Sequence, residues 1–80
     1  MHLEIITPDK KVFAGEANAV TLPGTEGQFQ VLNRHAPLVS TLGKGDVVVE
    51  ANGVKQSYVI DGGVVEVLNN QVLVLAEAIL

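Results

Sequence analysis

The chain has 80 residues, of which 48% are hydrophobic and 18% charged, so we expect one globular domain over residues 1–80 without a second core. Its formal net charge of −4 argues against a nucleic-acid partner, because binders of the phosphate backbone depend on clustered Lys and Arg. Cysteine is absent, which excludes disulfides and thiolate metal sites. No apolar run approaches the roughly 18 residues of a membrane span, and the first residues lack the pattern of a signal peptide, so we expect a soluble, cytoplasmic chain.

The first half of the chain alternates short apolar runs with turn residues. Residues 2–7 predict a strand that Pro8, Asp9 and Lys10 close as a turn. Residues 17–22 predict a strand that ends at Pro23-Gly24. Because no stretch repeats its apolar residues at the 3.6-residue period of a helix, the pattern indicates an all-β protein.

The second half begins with a loop and continues as a meander of strands. Residues 33–37 predict a shaped loop, because the residue before a proline avoids the helical region and Asn tolerates positive φ. Asn52-Gly53 predicts a type I′ turn between two strands. The remaining turns are predicted at residues 43–45, 61–63 and 69–70.

Several predicted strands carry apolar residues at both alternating positions, as Val64-Val65 does. One inward face cannot bury both sets, so the pattern indicates two packed sheets or a covered outer face. We therefore predict a β-sandwich or flattened barrel of about eight to ten short strands. On this layout, aspartate at either Val48 or Val65 is expected to collapse the fold, because an unpaired buried charge is costly.

Residues suited to catalysis or metal binding are scattered. His35 is the best candidate for a base, but no serine or carboxylate lies near it at a spacing that predicts a triad. His2, His35, Asp9 and Asp46 show no metal-ligand spacing. We therefore predict that the chain is not an enzyme and needs no cofactor or metal, and that His35 orders its loop or packs on a partner.

The order of motifs resembles the N-terminal domain of ATP synthase epsilon subunits. Residues 22–29, Leu-Pro-Gly-Thr-Glu-Gly-Gln-Phe, lead to residues 32–38, Leu-Asn-Arg-His-Ala-Pro-Leu, and residues 60–67 are similar to the family's Gly-Gly-x-x-Glu-Val strand. The resemblance covers almost the whole chain and departs from the family at Gln30, where glycine is frequent, and at Arg34, where glycine or asparagine is frequent.

The resemblance implies a ten-stranded β-sandwich of two packed sheets in the central stalk of a proton-translocating F-type ATP synthase. There it would dock the gamma subunit onto the c ring and couple rotation to ATP synthesis, as a peripheral subunit on the cytoplasmic face of the bacterial cell membrane or its organelle equivalent. The implied c-ring interface is Thr25, Glu26, Gly27 and Gln28, and the implied gamma interface is Val31, Leu32, His35, Ala36 and Pro37. Family members commonly continue into a C-terminal helical hairpin that can inhibit ATP hydrolysis, and the end at Leu80 implies that this inhibition is absent.

Two other functions remain open from the residues alone. A biotinyl or lipoyl carrier domain is also a small β-sandwich and would be modified at Lys44 or Lys55. Lys55 follows the predicted Asn52-Gly53 turn but lies inside a predicted strand, whereas carriers present their lysine at a hairpin tip. An enzyme would need a concave pocket at His35, which a sandwich of this size rarely builds.

Overall fold

A computed structural model describes residues 1–80 as seven β-strands without any helix. The strands follow the order β2-β1-β7-β6-β5-β3-β4 in one sheet, in which β1 and β7 are parallel and the other neighbours antiparallel. No helix in it is long and apolar enough to cross a bilayer. The strands are β1 (His2–Ile6), β2 (Lys11–Glu16), β3 (Ala19–Gly24), β4 (Gly27–Leu32), β5 (Leu38–Ala51), β6 (Val54–Leu68) and β7 (Gln71–Ala76).

The all-β prediction is confirmed, but the predicted ten strands in two sheets are replaced by seven strands in one hydrogen-bonded sheet. The predicted turns at 43–45 and 61–63 lie inside β5 and β6, which have 14 and 15 residues. Leu42 pairs with Gly63 and Lys44 with Asp61, so the register is the same on both sides of Gly43. In β6, Gly62 and Gly63 have positive φ values of 93° and 154°, and the strand continues through them because glycine adopts such values at low steric cost.

Gly63 shows why this part of β6 requires glycine. Its φ is 154°, and a Cβ atom at this position would overlap the Leu75 carbonyl oxygen on the neighbouring strand and lie 3.1 Å from Ala76 Cα. Both obstacles belong to the backbone of β7, which cannot rotate away as a side chain could. Gly63 lies opposite Ala76, where the pairing of β6 with β7 begins, so glycine allows the two backbones to approach closely at this end of β7.

The single sheet folds over on itself around one hydrophobic core. Leu3 and Ile5 of β1 belong to the same buried cluster as Leu22 of β3 and Val31 of β4, although β1 and β4 lie near opposite ends of the strand order. This shared core agrees with the sandwich part of the prediction. The sheet thus forms both layers by bending, since apolar faces of a sheet must pack against another layer.

The structure separates the valines at alternating positions into two faces. Val65 is fully buried, whereas its neighbour Val64 is 37% exposed. Val47 and Val49 are buried and Val48 is half-buried. Of the two alternatives that the sequence pattern left open, the covered outer face is therefore not present, and part of the outer face remains apolar and open.

The two asparagine turns at one end of the sheet have left-handed backbone conformations. Asn52 and Gly53 have φ values of 53° and 76°, which confirms the predicted type I′ turn between β5 and β6. Asn69 and Asn70, with φ values of 52° and 60°, form the corresponding turn between β6 and β7. Both turns match the right-handed twist of the strands that they join.

Candidate partner-binding surfaces

The segment predicted to face the c ring is the tip of the β3–β4 hairpin. Thr25 and Glu26 form the two-residue turn, and Gly24 pairs with Gly27 at its base. A Cβ atom on Gly24 would lie 2.6 Å from the carbonyl oxygen of Gly27, so the hairpin can close this tightly only with glycine. All four residues from Thr25 to Gln28 are exposed, which leaves the tip free to contact another molecule.

The hairpin tip is anchored to the start of β5. The Thr25 amide donates a hydrogen bond to the Thr41 carbonyl oxygen at 3.1 Å, and the two threonine hydroxyl groups lie 2.7 Å apart. Val39, 68% exposed, lines the same shallow depression as Glu26 and Thr41. Val39 and Thr41 were missed by the sequence analysis, although alternation along residues 38–42 was a usable signal, because it places both on the outer face.

The segment predicted to contact the gamma subunit contains one core residue and several surface residues. Val31 is completely buried, opposite Val20 on β3, so its side chain supports the segment from inside the core. Leu32 is 53% exposed, and Ala36 and Pro37 are also exposed. The surface available to a partner is thus Leu32 together with the loop that follows β4.

The loop that follows β4 begins with a tight turn, which a hydrogen bond to Asn70 stabilises. The His35 amide donates to the Leu32 carbonyl oxygen at 3.2 Å, and Arg34 between them has a φ of 62°. The Arg34 amide donates to Asn70 Oδ1 at 2.8 Å. The sequence predicted that Asn would supply the positive φ in this loop, whereas Arg34 does so. Glycine and asparagine adopt this conformation at lower cost than arginine.

His35 orders the loop through its ring. Its Nδ1 lies 2.7 Å from the Ala36 carbonyl oxygen, so Nδ1 carries the proton and donates, and the second ring nitrogen remains available to a partner. The residue is half-buried. No carboxylate lies within ion-pair distance of it, and no three His, Asp or Glu residues converge on a metal position.

The two predicted interfaces adjoin through β5. His35, Ala36 and Pro37 lead directly into Leu38, and Thr41, which holds the hairpin tip, follows three residues later. Three residues of extended strand span roughly 10 Å. The hairpin tip and the His35 loop therefore border the same stretch of β5.

The open apolar face lies where β6, β7 and β1 run side by side. Val64 pairs with Leu75, and Leu75 pairs with Ile6. Leu75 is 44% exposed, and together with Pro8 these side chains line a shallow apolar groove of about 420 Å³. Alternation alone left open whether these apolar residues pack between two sheets or lie on a covered outer face, because it cannot show whether a second layer exists.

A charged cluster lies beside this face on β1 and β2. His2 Nε2 donates to Glu4 Oε2 at 3.1 Å, and Lys11 Nζ is 3.7 Å from the other oxygen of Glu4. The hydrogen bond from His2 and the Lys11 ammonium hold the pKa of Glu4 below its ordinary value of 4.5. The cluster joins neighbouring strands and contains no group arranged for catalysis.

Neither lysine considered for a carrier domain lies at a hairpin tip. Lys44 is in the middle of β5, opposite Asp61, and Lys55 lies within β6, opposite Glu50. The tip beside Lys55 consists of Asn52 and Gly53. The arrangement lacks the projecting lysine that a swinging-arm carrier needs.

A family comparison accounts for the whole chain. Residues 1–80 match the model described as ATP synthase, Delta/Epsilon chain, beta-sandwich domain. The chain belongs to this ATP synthase delta/epsilon family. The match extends from the first strand to the last and includes both segments singled out above as candidate interfaces.

Curated relatives of the delta/epsilon family give the same assignment. The ATP synthase epsilon chain of Nitratidesulfovibrio vulgaris (strain DP4) is 45% identical over 78 residues, covering 98% of this chain and 58% of the relative. That of Pelotomaculum thermopropionicum is 43% identical over 77 residues, covering 96% of this chain and 58% of the relative. The chain thus spans somewhat more than half the length of these relatives.

Two solved structures share the fold of this delta/epsilon family member. A chain of the Euglena gracilis mitochondrial ATP synthase, solved as OSCP/F1/c-ring, superimposes with a TM-score of 0.91 at 30% identity, covering 98% of this chain and 51% of the other. A chain of the Tetrahymena thermophila mitochondrial ATP synthase central stalk and c ring gives a TM-score of 0.85 at 16% identity, covering 99% of this chain and 64% of the other. The second likeness shows the fold alone.

Proposed function

We propose that this chain is the β-sandwich part of an ATP synthase epsilon subunit and joins the gamma subunit to the c ring. The family match over residues 1–80 is the observation that carries the proposal. In this role the domain is not catalytic; it transmits rotation within a proton-translocating complex that makes ATP. It is a peripheral subunit on the cytoplasmic face of the bacterial membrane or its organelle equivalent.

Contact with the c ring is assigned to Thr25, Glu26, Gly27 and Gln28. The tip is exposed, and two hydrogen-bonding contacts between Thr25 and Thr41 hold it against β5. Glycine at position 27 leaves the backbone accessible, since nothing lies within 4 Å of where its Cβ would be. A rigid tip suits a contact under torque, because little ordering entropy is lost when it binds.

Contact with the gamma subunit is assigned to Leu32, His35, Ala36 and Pro37, which Val31 supports from the core. We assign the open face of Ile6, Val64 and Leu75 to the gamma subunit as a second contact, since these paired residues leave apolar side chains exposed. An apolar groove on a small domain is costly to leave in water, so a partner that covers it adds stability. The inhibitory helical hairpin known in the family is not assigned to residues 1–80, which contain no helix.

Calorimetric titration of the purified chain with a soluble gamma subunit tests this function. We expect saturable binding that His35→Ala weakens, while the thermal unfolding of the variant stays close to that of the parent. Leu75→Ser should weaken binding roughly tenfold, because a partly exposed leucine loses about 1–1.5 kcal/mol of burial in the complex.

Two matched variants serve as controls for this titration. Val54→Ser removes another exposed aliphatic side chain, 60% exposed against 44% for Leu75, from the far end of β6. Lys55→Ala removes an exposed polar side chain outside the proposed interface. Equal weakening by Leu75→Ser and Val54→Ser would contradict the apolar contact, and absence of any gamma binding would contradict the proposed function.

A further inference from the structure

A polar depression lies at the end of the sheet opposite the Thr25-Glu26 tip. It has a volume of about 520 Å³ and lies where Asn18, Asn33, Asn52 and Asn70 come together from four different connections. Arg34 lies at the same depression. The proposed interfaces do not use these asparagines as contacts, so their convergence has no explanation in the proposed function.

In three of these asparagines, the N–H group that donates to the side-chain oxygen determines the orientation of the side-chain amide. Asn70 Oδ1 accepts the Arg34 amide at 2.8 Å, and Asn18 Oδ1 accepts the Asn52 amide at 3.2 Å. Asn33 Oδ1 accepts a hydrogen bond from the Met1 amino group. An N–H group can only donate, so each amide must present its oxygen to the protein and turn its NH2 group away.

The NH2 groups of Asn18, Asn33 and Asn70 donate to no acceptor within the protein. The Arg34 guanidinium also has no carboxylate within ion-pair distance. The depression is therefore lined by three asparagines whose NH2 groups have no acceptor in the protein, by Arg34, and by Met1, whose amino group is already bonded to Asn33 and Ala17. A set of donors without acceptors is complementary to a ligand that only accepts hydrogen bonds.

We propose that this depression, here called the asparagine site, binds an oxyanion of the phosphate or carboxylate class. Arg34 supplies the charge, and the amides of Asn18, Asn33 and Asn70 supply neutral donors. Glu16 is the one acid at the depression, and its carboxylate lies 3.7 Å from the Met1 amino group and 3.6 Å from His2 Nδ1. The amino group partly offsets the charge of Glu16, and Glu16→Gln is expected to tighten binding.

Titration of the ¹⁵N-labelled full chain with inorganic phosphate at constant ionic strength tests the asparagine site. The side-chain NH2 resonances of Asn18, Asn33 and Asn70 are expected to shift together and saturate with one common dissociation constant. A parallel titration with acetate distinguishes the source, since preference for acetate indicates a carboxylate and preference for phosphate indicates a phosphate group. Saturable binding of either supports the site, and the absence of saturation with both overturns it.

Asn70→Asp and Asn69→Asp form a matched pair of variants. Asn70→Asp keeps the oxygen that accepts the Arg34 amide but replaces the NH2 donor with negative charge, so phosphate binding should weaken about tenfold or more. Asn69→Asp makes the same charge change at the adjacent turn position, which also has positive φ but does not line the depression. Equal weakening by both variants would show a general charge effect and overturn the proposal.

The asparagine site can fail without affecting the proposed function. Phosphate binding is measured on the isolated chain, whereas gamma binding is measured with the partner present. Unfolding temperatures of both aspartate variants check that the turns persist. If Asn70→Asp stays folded and binds phosphate as tightly as the parent, the assignment of Asn70 as a donor is wrong.

Discussion

Replacing Arg34 with glycine is expected to stabilise the domain, although it removes a charged side chain. Arg34 has a φ of 62°, and the other three non-glycine residues with positive φ are asparagines. Its guanidinium makes no ion pair within 4 Å, and its one hydrogen bond to Asn70 comes from the backbone amide, which glycine keeps. The Arg34 side chain therefore makes few contacts that could offset the cost of its left-handed backbone conformation.

The expected gain for Arg34→Gly follows from two opposing terms. A left-handed conformation costs a residue with a Cβ about 1–2 kcal/mol, while the extra freedom of glycine in the unfolded chain takes back about 0.5–1 kcal/mol. The net gain of about 0.5–1 kcal/mol should raise the Tm of so small a domain by roughly 2–8 °C. Thermal unfolding followed by circular dichroism measures this shift directly.

Two variants at the same position separate backbone strain from loss of the side chain. Arg34→Ala removes the guanidinium but keeps the Cβ, so it should not raise the Tm. Arg34→Asn should give an intermediate gain, because asparagine tolerates positive φ better than other residues with a side chain. A Tm for Arg34→Gly equal to or below that of the parent would refute the strain argument, and an equal gain from Arg34→Ala would attribute the effect to charge.

Three further experiments, which use five substitutions, test the fold and its electrostatics. Gly63→Ala should lower the free energy of unfolding by about 2–5 kcal/mol, since both the positive φ and the β7 backbone oppose a Cβ atom there. Gly53→Ala should lower it by only about 1–2 kcal/mol, because nothing lies within 4 Å of its Cβ position. Similar urea midpoints for the two variants would contradict the close approach of Gly63 to β7. Val65→Asp should abolish cooperative thermal unfolding, and Val48→Asp should leave it intact, because only Val65 is fully buried. The pKa of Glu4 is lowered in the folded state, so its carboxylate stabilises the fold above its ordinary pKa, and this stabilisation is lost as the pH falls through the lowered value. Glu4→Gln should therefore be less stable than the parent at pH 7 and equally stable in strong acid. A difference in urea unfolding that does not change with pH would contradict this.

The candidate interfaces could be located from the sequence only in part. The hairpin tip at Thr25–Gln28 was predictable, because the glycines on either side of Thr25-Glu26 mark a tight turn in any context. The resemblance grouped Val31 with Leu32 in one implied interface, whereas the structure buries Val31 completely and leaves Leu32 53% exposed. Asn70 could not be connected with the loop at Arg34, because 36 residues separate them in the chain.

Local chemistry by itself determined the β class of this protein, the Asn52-Gly53 turn and the inward position of alternate residues, because these features depend on neighbours in sequence. The tertiary structure decided that β6 continues through Gly62 and Gly63, since the answer depends on whether β5 stays paired with β6 on both sides of the glycines. It also decided that Val64 and Leu75 remain exposed, because the sheet folds over on one side only and leaves their face without a second layer. Side-chain alternation assigns residues to faces, but only the arrangement of distant strands determines which face is covered.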